Sequence, residues 1–199
     1  GIMSRIAITG GTGFLGMALT ERLLSLPQVE RVRVISRDEH KKARMVERFG
    51  SFAAFQVLLG DVRDKNRMEQ AFNHIDVVIH AAALKRVDND DDEAIEMKKT
   101  NVDGTQNVIE AATTCGVRQV LFVSSDKAVA PENAYGKSKA MAEEIAISYN
   151  SISYPRGTRV ACVRYGNVLG STGSVLCKWS EQRMAAMPFK VTDARMTRF

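Results

Sequence analysis

A glycine-rich loop between a short apolar run and a helical pattern constrains the fold of this chain more than any other feature. Arg5–Thr9 has the composition of a β-strand, residues 10–16 read Gly-Gly-Thr-Gly-Phe-Leu-Gly, and a helical pattern follows through Leu26. Between a strand and a helix, such glycines permit a tight turn and let the backbone approach a pyrophosphate at the positive end of the helix. The pattern predicts a dinucleotide-binding loop, whose contact residues are Gly10, Gly13, Phe14, Leu15 and Gly16.

Apolar, β-type runs alternate with helical patterns along the 199 residues. This alternation predicts an α/β fold, a doubly wound parallel sheet of the Rossmann type, and the length suits a single domain. The two longest helices are expected at about 90–112 and 133–149. The predicted strands are Arg5–Thr9, Arg31–Ile35, Phe55–Leu59, Asp76–His80, Gln119–Val123 and Arg159–Arg164.

The end of the second strand indicates which dinucleotide is bound. NAD-binding proteins usually place a carboxylate there, which accepts from the ribose 2′-hydroxyl. This chain has Ser36 and Arg37 instead, which suit a 2′-phosphate and favour NADP, although Asp38 could turn inward and favour NAD. Ala81 and Ala82, where the fourth strand ends, have small side chains that leave room for the cofactor ribose, although they could equally just relieve packing.

The most informative stretch follows the fifth strand. Ser124 and Ser125 end the strand, and Tyr135 and Lys139 lie four residues apart on the next helix, so they share one face. An ammonium group beside a phenol stabilises the phenolate and lowers the tyrosine pKa. A serine hydroxyl could hold a substrate oxygen next to that tyrosine. The stretch therefore predicts a hydride-transfer site.

Several motifs together resemble one known family. The glycine loop and the Tyr-x-x-x-Lys pair resemble the extended short-chain dehydrogenase/reductases. Ser-Ser-Asp-Lys-Ala at 124–128, Ala-Ala-Ala-Leu-Lys at 81–85 and Arg-Tyr-Gly-Asn-Val at 164–168 resemble, more narrowly, the inverting UDP-N-acetylglucosamine 4,6-dehydratases of polysaccharide biosynthesis. The resemblance runs from Arg5 to Phe199. The family continues well beyond that point, so the C-terminal substrate-binding part is expected to be missing or truncated.

The resemblance implies a set of roles. Lys127 would be the base and Asp126 the acid of the elimination, beside the catalytic residues Ser125, Tyr135 and Lys139. Asn101 would support the active site from its helix. Asp61 and Val62 would lie against the cofactor adenine, and Tyr135 and Lys139 would also contact the cofactor. The expected organisation is one NAD(P)-binding domain over residues 1–199, in which the substrate-binding region starts near 171–199. The UDP-sugar contacts would be Lys85, Asn167, Val175 and Thr192.

Composition excludes other classes of function. The net charge is +5, but Lys and Arg are dispersed among acids, which favours phosphorylated small molecules over nucleic acid. No apolar run approaches the ~20 residues of a membrane span, and the three scattered cysteines suit a cytoplasmic protein. The acidic run at 88–93 is interpreted as a helix start, with no metal expected.

Three further expectations concern partners and alternatives. A homo-oligomer is expected, paired through the two long helices, with Met141, Ala142, Ile145 and Ala146 giving an outer face its apolar component. The alternative is that these residues simply face the sheet. A nucleotide-sugar 4-epimerase or reductase, or a non-catalytic NADP-binding module, are the other functions that the sequence leaves open.

Overall fold

The computed structural model of the protein describes residues 4–11, 13–81, 95–96, 98–125 and 134–165, and of Phe14, Ser125, Ala134, Tyr135 and Tyr165 it describes the backbone only. Six strands form one sheet. Most of them are runs of Val, Ile, Leu and Phe, which are typical of strands buried on both faces. Their bounds are β1 Ser4–Thr9, β2 Val29–Ser36, β3 Phe55–Leu59, β4 Val77–His80, β5 Gln119–Ser125 and β6 Arg159–Tyr165.

Helices connect the strands. The carboxylates of Asp38 and Asp64 accept backbone N–H groups at the starts of the second and third helices, which satisfies donors that have no partner within a helix. The helices are α1 Phe14–Leu24, α2 Glu39–Phe49, α3 Lys65–Ala71, α4 Gly104–Thr114 and α5 Ala134–Ser153, with a π-helical turn at Lys99–Asp103 and a 3₁₀ turn at Tyr154–Arg156.

The strand order β3-β2-β1-β4-β5-β6 confirms the predicted doubly wound sheet. β1 pairs in parallel with β2 on one side and with β4 on the other, so that Thr9 is opposite both Ile35 and His80. The chain therefore reverses its direction of winding at β1. In open α/β sheets, ligands bind beyond the carboxyl ends of the strands at this reversal point.

Most of the buried apolar side chains form one core between the sheet and helices α3, α4 and α5. Phe72 and Phe122 are its largest fully buried members. Ala142 and Ala146 of α5 also belong to it and have no exposed surface. The expectation that these two alanines lie on an outer pairing face is therefore wrong, because they are packed against the core. Met141, in contrast, is 46% exposed.

The predicted elements differ from the observed ones mainly at their ends. α5 continues four residues beyond the expected end at Tyr149, to Ser153, and the chain then turns through Gly157, whose φ of 89° suits glycine. The chain divides into the units Gly1–Arg164 and Tyr165–Phe199, and all described elements except the last residue of β6 lie in the first. No described helix has the length and apolarity needed to cross a membrane.

Candidate dinucleotide and hydride-transfer site

The glycine loop lies directly after β1, at the reversal point of the sheet. Gly10 has a φ of 71°, which disfavours any residue with a side chain. A Cβ atom on Gly16 would collide with the backbone of Gly11, so these two glycines allow α1 to start against the loop. A Cβ atom on Gly13 would meet nothing within 4 Å. The packing of the described residues therefore requires Gly16 but leaves open space beside Gly13.

The ends of β2 and β3 bring Arg37 and Asp61 close together. Burial alone would raise the pKa of Asp61, but hydrogen bonds from Arg63 and the positive charges of Arg63 and Arg37 outweigh it and lower that pKa. Asp38 does not turn toward the end of β2, because its carboxylate accepts from the backbone N–H groups of His40 and Lys41 at 2.8 and 3.1 Å. Arg37 remains exposed.

Lys139 is the buried cation of the candidate site. It lies on α5 one turn after Tyr135 and is only 3% exposed. Its ammonium group donates to the carbonyl oxygen of Val123 at 3.3 Å, and it lies 5.0 Å from the centroid of the Phe122 ring. The side chain is thus held against the carboxyl end of β5, where the two serines follow.

Asn101 supports this region from the π-helical turn. Its side-chain N–H donates to the hydroxyl of Ser138 at 2.9 Å, next to Lys139 on α5. Both side chains are buried. π-helical turns occur frequently at functional sites, where they alter the direction of a side chain. The hydrogen bond therefore joins the π-helical turn to α5 beside Lys139, and the supporting role expected for Asn101 stays a prediction.

Sequence reasoning missed a buried histidine network. His80, at the end of β4, contacts the hydroxyl of Thr9 at 2.7 Å through Nδ1 and the hydroxyl of Thr105 at 2.9 Å through Nε2. Because Thr105 donates its own proton to the carbonyl of Asn101, Nε2 must carry the proton and donate to Thr105. Burial, with a smaller effect of the Lys139 charge, lowers the pKa of His80 to about 3, so the imidazole is neutral at pH 7.

A second missed feature is a buried carboxylate. Glu143 lies one turn beyond Lys139, is 6% exposed and accepts two hydrogen bonds from Arg164 at the end of β6. The Arg164 hydrogen bonds are the main cause that lowers the pKa of Glu143, and the Ser124 hydroxyl beside it contributes. The buried Ser124 hydroxyl lies next to the carboxylate, but its geometry falls short of a hydrogen bond. The only signals in the sequence are the i, i+4 spacing from Lys139 and an arginine at the end of a strand.

The structure describes only some of the other predicted site residues. Val62 is buried in the core, where it packs under Gly104, and Ala81 donates its backbone N–H to Thr9 as β4 ends. The side chains of Ser125 and Tyr135 lie outside the description of the structure. So do the acidic run at 88–93 and the following predicted site residues: Ala82, Lys85, Asp126, Lys127, Asn167, Val175 and Thr192.

With this geometry established, comparison with known proteins identifies the family. Residues 6–199 match the family described as "Polysaccharide biosynthesis protein". The chain belongs to this family. The match covers nearly the whole sequence and confirms the resemblance inferred from the motifs.

Two similar proteins are described as nucleotide-sugar enzymes. The chain is 40% identical to an inverting UDP-N-acetylglucosamine 4,6-dehydratase of Campylobacter jejuni and 38% identical to a UDP-glucose 4-epimerase of Rickettsia massiliae, over 98% of the chain and 58% of each relative. The structure of Pen from Bacillus thuringiensis superimposes with a TM-score of 0.93 at 36% identity, over 100% of this chain and 61% of Pen. This chain therefore spans about three fifths of the length of these proteins.

Proposed function

We propose that this member of the polysaccharide biosynthesis family is a nucleotide-sugar 4,6-dehydratase that acts on UDP-N-acetylglucosamine with recycled NADP and inverts carbon 5. The observation that carries the proposal is the position of Lys139. It is buried at the end of β5, one turn after Tyr135, in the sheet whose β1 leads into the glycine loop. This arrangement suits hydride transfer from a carbon that bears a hydroxyl group.

The residues around the glycine loop fit a dinucleotide. The open space beside Gly13 admits a pyrophosphate next to the first turn of α1, which contains no acidic residue. Arg37 is exposed where a 2′-phosphate would lie, and the carboxylate of Asp38 is already engaged at the start of α2. Both observations favour NADP over NAD. When bound, NADP would supply the hydride acceptor for sugar carbon 4 and, once reduced, the hydride donor for carbon 6.

Tyr135 is the proposed base of the oxidation. It takes the proton of the carbon-4 hydroxyl, and the ammonium group of Lys139 stabilises the phenolate. Ser125 orients the same hydroxyl. Glu143 and His80 keep the surroundings of Lys139 ordered, since Glu143 links α5 to β6 and neutral His80 links β4 to α4.

The elimination requires a second acid and base. The ketone at carbon 4 acidifies the proton on carbon 5, which Lys127 removes, and Asp126 protonates the carbon-6 hydroxyl as it departs as water. When carbon 6 of the resulting alkene gains the hydride, carbon 5 gains a solvent-derived proton on the opposite face, which inverts it. The 40% identity to a Campylobacter jejuni 4,6-dehydratase described as inverting favours this reaction, whereas the roles of Asp126 and Lys127 rest on the motif resemblance alone. Lys85, Asn167, Val175 and Thr192 would hold the UDP-sugar.

A 4-epimerase is the second candidate, because the Rickettsia massiliae relative is nearly as similar. Incubation with UDP-N-acetylglucosamine and NADP, followed by mass spectrometry and sugar analysis, separates the candidates. A dehydratase gives a product lighter by one water molecule, an epimerase gives an isomer of unchanged mass, and a non-catalytic module leaves the substrate intact.

Two properties of the whole protein complete the proposal. We place it in the cytoplasm, where the thiols of Cys115 and Cys162 stay free as they are in the structure.

We also propose a homo-oligomer. Met141 and Ile152, 46% and 55% exposed, share one side of α5 with the partly exposed Ile145, and such a stripe suits a helix pair. Light scattering that detects only monomer at high concentration would contradict self-association.

A further inference from the structure

A basic cavity lies at the amino ends of the first three strands, opposite the glycine loop. Its volume is about 330 Å³, and it is lined by Arg5, Glu30, Arg31, Arg33, Gln56 and His74. Gly10 is five residue steps from Arg5 along β1, so the two sites are about 17 Å apart. None of the roles assigned to the dinucleotide site involves these residues.

The sheet register places three guanidinium groups side by side. Arg5 is the direct partner of Arg31 on the neighbouring strand, and Arg33 follows two residues later on the same face. Like charges on directly opposite residues destabilise a sheet. The cavity contains a single carboxylate, that of Glu30, which contacts Arg5 at 3.3 Å. Three positive charges therefore face one negative charge.

The three arginines are not equally engaged. Arg33 is held firmly, because it donates to the carbonyl oxygens of Ala71 and Asn73 and to the side chain of Gln56. The guanidinium group of Arg31, in contrast, has no hydrogen-bond acceptor or ion-pair partner among the described residues. Burial is the main cause that lowers the pKa of Arg33, and the charge of Arg31 contributes, so the two guanidinium groups lie close enough to repel each other.

We propose that this cavity binds the phosphate group of a small phosphorylated molecule. The N–H donors of a guanidinium group lie in one plane and can bind two oxygens of a phosphate at once. Those of Arg31 are available for such a contact. The Arg33 side chain is already held by three acceptors, so it needs little further ordering on binding. A bound dianion would also relieve the repulsion between Arg5, Arg31 and Arg33. The cavity is at the lower end of the size range of small-molecule sites, which suits a phosphate with part of its carrier.

Inorganic phosphate is the probe that tests this site, titrated at constant ionic strength and followed through the backbone amide signals. The amides of residues 30–33 and 74 should shift and saturate together, separately from any shift of the glycine loop. Arg31→Gln should weaken this binding at least tenfold. Arg22 is exposed in the last turn of α1 and lies outside the cavity. Arg22→Gln removes the same charge and should leave the affinity for phosphate unchanged.

Thermal unfolding gives an independent readout. Without phosphate, Arg31→Gln should unfold at the same or a higher temperature than the parent protein, because the repulsion is relieved, and phosphate should stabilise only the parent and Arg22→Gln. Phosphate-induced shifts confined to the glycine loop would overturn the proposal. Equal weakening by Arg31→Gln and Arg22→Gln would also overturn it, since that result would mean attraction by net charge alone. These outcomes do not depend on whether the protein is a dehydratase.

Discussion

The carboxylate of Glu143 accepts hydrogen bonds from two nitrogens of Arg164, at 2.9 and 2.7 Å, and thereby ties α5 to the end of β6. The carboxylate is nearly buried, whereas about half of the Arg164 side chain is exposed. This asymmetry matters because a buried charge that loses its partner bears the full desolvation cost, whereas an exposed one is solvated by water.

Removal of the arginine should therefore cost more than neutralisation of the glutamate. We expect Arg164→Ala to lower the free energy of unfolding by about 1–3 kcal/mol, because it leaves the Glu143 carboxylate buried and unpaired. Glu143→Gln should cost less, since an amide of the same shape can still accept from Arg164. Urea unfolding of both variants and of the double variant tests this. If the double variant loses as much unfolding free energy as the two single variants together, the two residues act independently.

The glycine loop offers a matched pair of variants. Gly16→Ala should lower the free energy of unfolding by at least about 2 kcal/mol, because its methyl group would collide with the Gly11 backbone. Gly13→Ala should change stability by no more than about 1 kcal/mol, since its methyl group meets nothing within 4 Å and the only expected cost is a poorer helix cap. Calorimetric titration should nevertheless show weaker dinucleotide binding by Gly13→Ala. Unchanged affinity would place the pyrophosphate elsewhere.

Arg37 is expected to determine the choice of cofactor. Arg37→Asp should weaken NADP binding by more than about 1.5 kcal/mol, the scale of a charged hydrogen bond, and weaken NAD binding much less. Arg44→Asp changes the same charge at an exposed position of α2 and serves as the control. Calorimetric titration in which the unmutated protein binds NAD more tightly than NADP would contradict the assignment.

Glu110 should contribute to the acid sensitivity of the fold. A hydrogen bond from Lys65, followed by one from Tyr149, lowers the pKa of Glu110 to about 2. A pKa that is lower in the folded state adds stability above the unfolded value near 4.5, and this stability is lost as the pH falls toward 2. Glu110→Gln should therefore be less stable than the parent by about 0.5–1 kcal/mol at pH 7, and the difference should shrink below pH 4.5.

Urea unfolding at pH 7, 5 and 3.5 measures the Glu110 effect. Glu144→Gln, which changes an exposed carboxylate of α5, is the control and should have the same free energy of unfolding as the parent protein at each pH. A Glu110→Gln variant whose deficit stays constant down to pH 3.5 would mean that the deficit does not come from the charge of the Glu110 carboxylate.

The sheet could be predicted from the sequence because its signals are local. Each strand is a short apolar run, and the glycine loop identifies the position of β1 in the winding. The His80 network could not be predicted, since it joins Thr9, His80 and Thr105, which come together only after β1 and β4 pair. The two faces of α5 were misassigned for a similar reason. Whether Ala142 faces the core depends on how α5 is rotated against the sheet. An alanine side chain is small enough for either face, so the sequence does not indicate this rotation.

The charges at the amino edge of the sheet illustrate the same limit. Arg5 and Arg31 are 26 residues apart by number and appear as dispersed cations in the sequence, but the register of β1 and β2 makes them neighbours. Conversely, Asp38 was ambiguous in the sequence, and its hydrogen bonds at the start of α2 decide where its carboxylate lies.

The most direct test of the central claim is the fate of the carbon-5 proton. The protein, with any sequence that follows Phe199 in its natural chain, is incubated with UDP-N-acetylglucosamine and NADP in deuterated water. The account predicts loss of one water molecule and a product that carries deuterium at carbon 5 with inverted configuration. Lys127→Ala should lower the rate by a factor of ~10²–10⁴ while NADP affinity stays unchanged. A Lys127→Ala protein that still eliminates water at a near-normal rate, or a parent protein that yields only an isomer of unchanged mass, would contradict the dehydratase assignment.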